Sequence, residues 1–524
     1  MLMLSNSIFK LREANRLSQK EFADLFDVSA QAVQKWENNS SYPTIANLVA
    51  ISKYFNVSID SLLLDTNGRV IEEMSSFKEI FPNFDAYELY SENIKIEYLQ
   101  SIDEGYDIEH YQDLFAAVDK IPNSREKEKI ADAIFNIVMG SEKQTAYRFT
   151  EPSELTEIKP LRKEHNYTPT IPDEATLKSK IAGAWYGRIC GCLLGKPIEG
   201  IRTNEFIPLL KETDNYPMHR YILSTDITNE ICEKYNYNLK DKCWADVIDC
   251  APIDDDTNYT VLAQQLIERF GKDFTSADIG RLWLSSQPKV AYYTAERVAF
   301  RNLVNGYAPP YSAIYKNPYR EWIGAQIRGD YFGYINPGNP ELAAEMAWRD
   351  ASVSHIKNGI YGEMFVAAML ATAAVTDNIF DIIYGGLAQI PQTSRLYHDV
   401  TSVIEDYNNN LKIEDCYAKI HTKYDEYSEH GWCHTISNAM IVVAALLYGK
   451  VDYGKSICLA VQTGFDTDCN GATVGSVIGM QKGLSAIDEK WIKPLNGVLN
   501  TSIFGIGKIQ IIDLIDKTVE HIKR

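Results

Sequence analysis

Glycines at four-residue spacing restrict this chain more than any other feature. Gly183, Gly187, Gly191 and Gly195 recur in KIAGAWYGRICGCLLGKPIEG, and Gly471, Gly475, Gly479 and Gly483 recur in NGATVGSVIGMQKG. Four residues only slightly exceed one helical turn, so each set lines one face of a helix. A glycine inside a helix costs about 1 kcal/mol relative to alanine. A ridge without side chains offsets that cost by letting helix backbones approach closely. Neither segment is apolar enough to span a bilayer, so the pattern predicts two tightly packed soluble helices. The glycines themselves read as scaffold.

Acidic residues gather at the ends of these helices. The first ridge runs out at Pro197-Ile198-Glu199, and the second starts just after Gly464-Phe465-Asp466-Thr467-Asp468. A third element, Pro252-Ile253-Asp254-Asp255-Asp256-Thr257, opens a helix to about Arg269, with Val261, Leu262, Leu266 and Ile267 inward and Gly271 as its stop. A single acid at a helix start is commonly a cap. Three consecutive carboxylates repel one another and need a counter-charge, and an Asp-x-Asp pair offers two oxygens to one cation. Hard oxygen ligands select magnesium, manganese or calcium over zinc. The two clusters suggest one dinuclear site for two hard divalent cations, with Asp254, Asp255, Asp256, Asp466 and Asp468 as its candidate ligands. With Glu199 included, six negative charges would face four positive ones, so not every acid is a permanent ligand. Glu199, on a proline-containing segment beyond its helix, is the one expected to move.

The first 65 residues read as a separate module. Ser18 caps a helix beginning Gln19-Lys20-Glu21, with Glu21 at the capping-box position and Phe22, Ala23, Leu25 and Phe26 on the inner face. After a turn at Asp27-Val28, Ser29 caps a second helix over 30–38 with Val33 and Trp36 inward. Pro43-Thr44 opens a third, with Leu48, Ile51 and Phe55 at core spacing. Helices this short need one another, and they can pack as a helix-turn-helix. LSQKEFADLFDVSAQAVQKWENN, followed by SYPTIANLVAISKYFNVSIDSLL, resembles the five-helix Cro-like phage-repressor helix-turn-helix family. That resemblance implies binding of double-stranded DNA. Gln19 would touch phosphate, and Ala30, Gln31, Gln34 and Lys35 would lie in the major groove, where Gln reads adenine and Lys guanine. The module is close to charge-neutral, so one copy should bind weakly, and a homodimer on a palindromic site is expected.

At 524 residues the chain holds about two to four domains. Its net charge of −19 argues against wholesale capture by nucleic acid or anionic membrane. Nine cysteines without CxxC spacing fit a reducing cytoplasm. Residues 1–10 lack the apolar core of a secretory signal, and no run approaches the roughly 18 apolar residues of a membrane span. The expected division is 1–65 for the DNA-binding module, 66–140 for an acidic helical connector, 141–172 for a linker and 173–524 for the catalytic domain. In the connector, 124–139 is a predicted amphipathic helix with Ile130, Ile134, Ile137 and Val138 on one side, and 87–100 a second. Prolines at 152, 160, 169 and 172 break the linker.

From about Leu177 onward the chain resembles the ADP-ribosylglycohydrolase family, which includes the bacterial dinitrogenase-reductase-activating glycohydrolase. LGKPIEG, DDDT and GFDTDCNGATVGSVIG carry the resemblance, the last most specifically. SHIKNGIYGEMFVAA looks like the family's central histidine segment, and GAQIRGD like a substrate loop. The resemblance implies an all-α fold, a di-magnesium or di-manganese centre, and an ADP-ribosylated substrate. It places Glu199, Arg328, His355 and Gly359 at the substrate, with Asp330 a weaker candidate. Two positions depart from the family pattern. Asp254 stands where Thr or Ser is usual, and Cys469 where Thr is usual; a thiol is a poor partner for magnesium.

These features predict metal-assisted hydrolysis at the anomeric carbon of a ribose, with Glu199 or Asp256 helping to deprotonate water. Arg328 would hold the diphosphate. The expected function is an enzyme coupled to sequence-specific DNA binding, with regulation of its own gene's transcription. The rival is a transcriptional regulator that senses an ADP-ribosyl ligand through a non-catalytic domain.

Overall fold

Three hydroxyl residues cut the N-terminal segment into short helices. The computed structural model describes residues 4–63, 84–235 and 242–524. Its helices α1 (Leu4–Ala14), α2 (Gln19–Leu25), α3 (Ala30–Glu37), α4 (Ile45–Phe55) and α5 (Ile59–Leu63) form a small unit. Ser18 accepts from the Glu21 amide while the Glu21 carboxylate accepts from the Ser18 amide, completing the expected capping box. Ser29 caps α3 by accepting from the Ala32 amide, and Thr44 caps α4 through a second capping box with Asn47. Phe22, Ala23, Val33, Trp36 and Ile51 are buried in one core with Leu4, Ile8 and Leu62. Leu25, expected inward, is exposed. Arg12 of α1 is buried and donates from Nε to Glu37 Oε1 of α3 at 2.6 Å.

The large unit, Phe84–Arg524, is built around the glycine helices Glu174–Gly195 and Thr467–Lys482. Theirs is the most extensive helix–helix contact among the described residues. They run antiparallel. A Cβ at Gly183, Gly187 or Gly191 would lie under 3.0 Å from the backbone oxygen of Gly479, Gly475 or Gly471 respectively, and the reverse holds for each partner. Gly483 ends the second ridge helix at φ +81°, a conformation that favours glycine, and its backbone still meets Gly183, where a Cβ would come within 3.0 Å of it. The helix Lys357–Ala373 is buried on every side beyond Lys357, which marks it as a central core helix. Strand structure among the described residues is one short antiparallel pair, Val498–Asn500 with Lys508–Gln510. No helix among the described residues is long and apolar enough to cross a membrane.

Residues 64–83, the start of the expected connector, lie outside the described residues. From residue 84 the connector belongs to the large unit. Helices Ile94–Asp103, Gln112–Asp119 and Arg125–Gly140 share a small core of Tyr90, Ile94, Ile108, Phe115, Val118, Ala131, Ile134 and Val138. Ile130, expected inward, is exposed, because Ala131 takes the inner position. Buried charges tie this layer to the body. Arg320 donates to both carboxylate oxygens of Glu97 at 3.0 and 2.9 Å, and to Glu104 Oε1 at 2.6 Å. The proline-rich segment lies against the same body. Glu151 receives Arg395 Nε at 3.0 Å, and the Thr170 amide donates to the Val375 carbonyl at 2.7 Å.

Candidate metal centre and its cavity

The paired ridges bring together sequence segments some 270 residues apart. At the end of the first ridge helix, Thr467 Oγ1 donates to the Gly195 carbonyl at 3.0 Å. The 3-10 turn Lys196–Ile198 and Glu199 therefore meet Asp466 and Asp468 at the start of the second ridge helix. The third acidic element arrives through a charged residue in the middle of the first ridge. Arg188 is fully buried and donates to the Asp256 carbonyl, to Asp256 Oδ1 at 3.0 Å and to the Ile327 carbonyl at 2.6 Å. Its Nη1 pairs with Asp330 Oδ2 at 3.0 Å. Asp254 caps the helix Asp255–Phe270 by accepting from the Asp256 amide at 2.9 Å, and its other oxygen pairs with Lys196 Nζ at 2.5 Å.

Ligand atoms of Cys192, Asp254, Asp256 and Asp468 lie within 4.8 Å of one another, as do those of Asp466, Asp468 and Cys469. Asp468 belongs to both groups. Asp256 Oδ2, Asp466 Oδ1 and Asp468 Oδ1 are buried with no hydrogen-bond partner among the described residues. Buried carboxylate oxygens without donors are costly unless a cation meets them. Burial, then the Asp254 charge, pushes the Asp468 carboxyl up to about 6. Burial followed by neighbouring carboxylates also raises Asp255 and Asp466. Asp256 is raised by burial against the opposing pull of Arg188. Glu199 is exposed at the cavity, and the Asp468 charge is the leading cause of its rise. Lys196 and Arg188 only partly offset the six acids, so the cluster fits hard divalent cations bound through oxygen. Burial and these acids raise the Cys192 and Cys469 thiols, and soft sulfur is a poor match to hard cations, so the carboxylates are the fitting donor set.

Glu199, Asp254, Asp255, Asp466 and Asp468 line a cavity of about 250 Å³. Asp256 is fully buried behind them and reaches the cluster without lining the cavity. Asp255 lines the cavity but lies outside both compact ligand groups. Tyr87, Tyr293 and Trp432 supply aromatic wall.

Other expected site residues stand elsewhere. Arg328 is fully buried, donating to Asp350 Oδ2 at 2.5 Å and Glu296 Oε1 at 2.6 Å, with Glu363 at 3.6 Å. Its guanidinium is consumed by these acids and does not line the acid cavity. His355 lines a separate cavity of about 450 Å³, and burial, then the Arg328 charge, keeps it neutral. Gly359 is a packing glycine: a Cβ there would overlap the Arg320 carbonyl and the His355 ring. Asp330 is buried and acts as the second partner of Arg188. In the small unit Gln31, Gln34 and Lys35 are exposed on α3 and Ala30 is half-buried. Gln19 donates its amide to Glu37 at 2.6 Å.

Sequence reasoning missed Arg188, Lys196 and the aromatic wall. Arg188 carried a readable signal, since an arginine within an otherwise apolar helix needs a buried partner. Tyr87, Tyr293 and Trp432 carried none, because single aromatics scattered along a chain are ordinary core.

Comparison with known proteins gives two family matches: residues 173–523 match the ADP-ribosylglycohydrolase model and residues 8–62 the helix-turn-helix model. The HTH-type transcriptional activator BcrR of Enterococcus faecalis is 43% identical over 54 residues, 10% of this chain and 26% of that protein. The chain thus spans about a quarter of that curated relative. A solved ADP-ribosylglycohydrolase-related protein complex aligns at 17% identity and a TM-score of 0.39, over 67% of this chain and 99% of that one. With its acid clusters inside a match that covers most of its length, the chain belongs to the ADP-ribosylglycohydrolase family and carries a helix-turn-helix domain at its N-terminal end.

Proposed function

We propose that this protein hydrolyses the glycosidic bond at the anomeric carbon of an ADP-ribosylated substrate. The observation that carries this reading is the trio of buried, partnerless carboxylate oxygens on Asp256, Asp466 and Asp468, beside a cavity lined by further acids. Asp254, Asp256, Asp466 and Asp468 would hold two divalent cations, magnesium or manganese, with Asp255 at the cavity face. Bound there, such cations supply positive charge that orients ribose hydroxyls and acidifies water. Glu199, open to the cavity with a raised carboxyl, would take the proton from the attacking water. Asp256, held by Arg188, would orient rather than exchange protons. The surrounding negative charge favours an oxocarbenium-like transition state.

The small unit is proposed to bind double-stranded DNA as a homodimer, with the exposed Gln31, Gln34 and Lys35 reading bases. Gln19 would exchange its Glu37 contact for phosphate. Both activities are assigned to the cytoplasm. The fused helix-turn-helix domain also favours a second reading, a regulator that binds an ADP-ribosyl ligand without turning it over. A panel of ADP-ribosylated substrates with added magnesium or manganese separates the two. Release of ADP-ribose supports the enzyme, binding without release supports the sensor, and neither would remove both.

A further inference from the structure

Tyr87 lies on the wall of the acid cavity, although it precedes residue 173, where the family match begins. Its backbone is unusual: φ is +70°, a region that bulky side chains rarely adopt. The segment is held in that shape by its neighbour. The Glu88 carboxylate pairs with Lys289 and lies 3.7 Å from Arg297, and its carbonyl accepts from Arg301 Nη1 at 2.5 Å. Leu89 and Tyr90, which follow, are buried. The Tyr87 ring is half-buried and meets Tyr319 edge-on, with centroids 5.6 Å apart. Burial, then the neighbouring Cys433 and Glu199, pushes the phenol up to about 12, so it stays neutral beside the acids. An anchored segment in a rarely adopted conformation, ending on the cavity wall near Glu199, is more than a spacer requires.

We propose that Tyr87 is a substrate-contacting residue, a flat neutral ring that the segment before the family domain lends to the cavity, where it packs against the ribosyl end of an ADP-ribosyl substrate. This rests on the function proposed above. Aromatic rings suit that task because they bury a sugar or base face without adding charge. The residue that would stack is thus outside the family domain and inside its cavity.

Glycine suits a positive φ, so Tyr87→Gly removes the ring without imposing a new backbone conformation. The test measures ADP-ribose affinity in the full-length protein with magnesium or manganese, together with Tm and manganese occupancy. The expected result for Tyr87→Gly is a loss of affinity of about tenfold or more, with Tm and manganese occupancy close to the parent. Tyr87→Phe, which keeps the ring, should stay within about threefold of the parent. If the parent binds ADP-ribose and Tyr87→Gly binds it equally well, the ring makes no contact and this proposal fails alone. If Tyr87→Phe loses as much as Tyr87→Gly, ring packing is overturned in favour of the hydroxyl. If affinity falls only together with Tm or manganese occupancy, the role is structural and the proposal is overturned. If the parent binds no ADP-ribose, the proposed function fails and takes this inference with it.

Discussion

Asp468 sits in both carboxylate groups, so it is the residue on which the two halves of the centre converge. Asp466→Asn with Asp468→Asn should therefore remove at least one of two divalent ions per chain, read by elemental analysis. Full occupancy in the double variant would end the idea of a shared centre. Glu199→Gln should lower kcat by about 10²–10⁴ while leaving ADP-ribose affinity within a few-fold, the split expected for proton transfer rather than pocket building. An unchanged kcat on a confirmed substrate would take Glu199 off the catalytic path. The acids were legible in the sequence because each motif is contiguous: Asp254-Asp255-Asp256 and Asp466-Thr467-Asp468 declare themselves within a few residues. The setting of Arg328 was illegible for the opposite reason. Its partners Glu296, Asp350 and Glu363 come from three distant segments, and nothing in GAQIRGD reveals that the guanidinium is already occupied.

The two ridge helices show glycine working against its own propensity. In an ordinary helix Gly→Ala gains up to about 1 kcal/mol. At Gly187 or Gly475 the added Cβ would meet a backbone oxygen that cannot rotate away, and overpacking costs about 1–3 kcal/mol. We expect Gly187→Ala and Gly475→Ala to lower the urea midpoint and to weaken metal binding, because the same contact sets the spacing of the acid-bearing ends. Gly140, at the end of its helix, has nothing within 4 Å of a built Cβ, so Gly140→Ala should be neutral or stabilising. Equal effects at Gly140 and Gly187 would mean that the ridge is not under steric control. The four-residue period made both helices and their close packing readable from sequence. Their mutual direction was not, since two such ridges pair equally well parallel or antiparallel on spacing alone. Gly483 closes the period as the helix stop, with its backbone still packed against Gly183.

At the scale of the whole chain, the boundary near residue 173 describes a family match better than a separable body. Glu97, Glu104 and Glu151 neutralise the buried guanidinium groups of Arg320 and Arg395. Losing one partner of a buried pair costs about 3–5 kcal/mol. A fragment of residues 171–524 should therefore melt well below one of residues 84–524, and a fragment of equal stability would show these pairs to be dispensable. Composition had marked 84–140 only as acidic and aromatic; that its acids point into the body is decided by arginines more than 170 residues away. DNA binding is tested separately. Gln31→Ala and Lys35→Ala should weaken a footprint of two half-sites about one helical turn apart far more than they weaken binding to random DNA. Indifference of every sequence to both variants would mean that α3 reads no bases. The antiparallel ridge also has a consequence for synthesis. Gly195 and Asp466 are 271 residues apart, an interval of roughly 15–50 s at ribosomal speed. During that interval the five-helix N-terminal unit, which has its own core, can already have folded, while the candidate metal centre still lacks Asp466 and Asp468. On the functions proposed above, each newly made molecule would gain its DNA-binding unit before its hydrolytic centre.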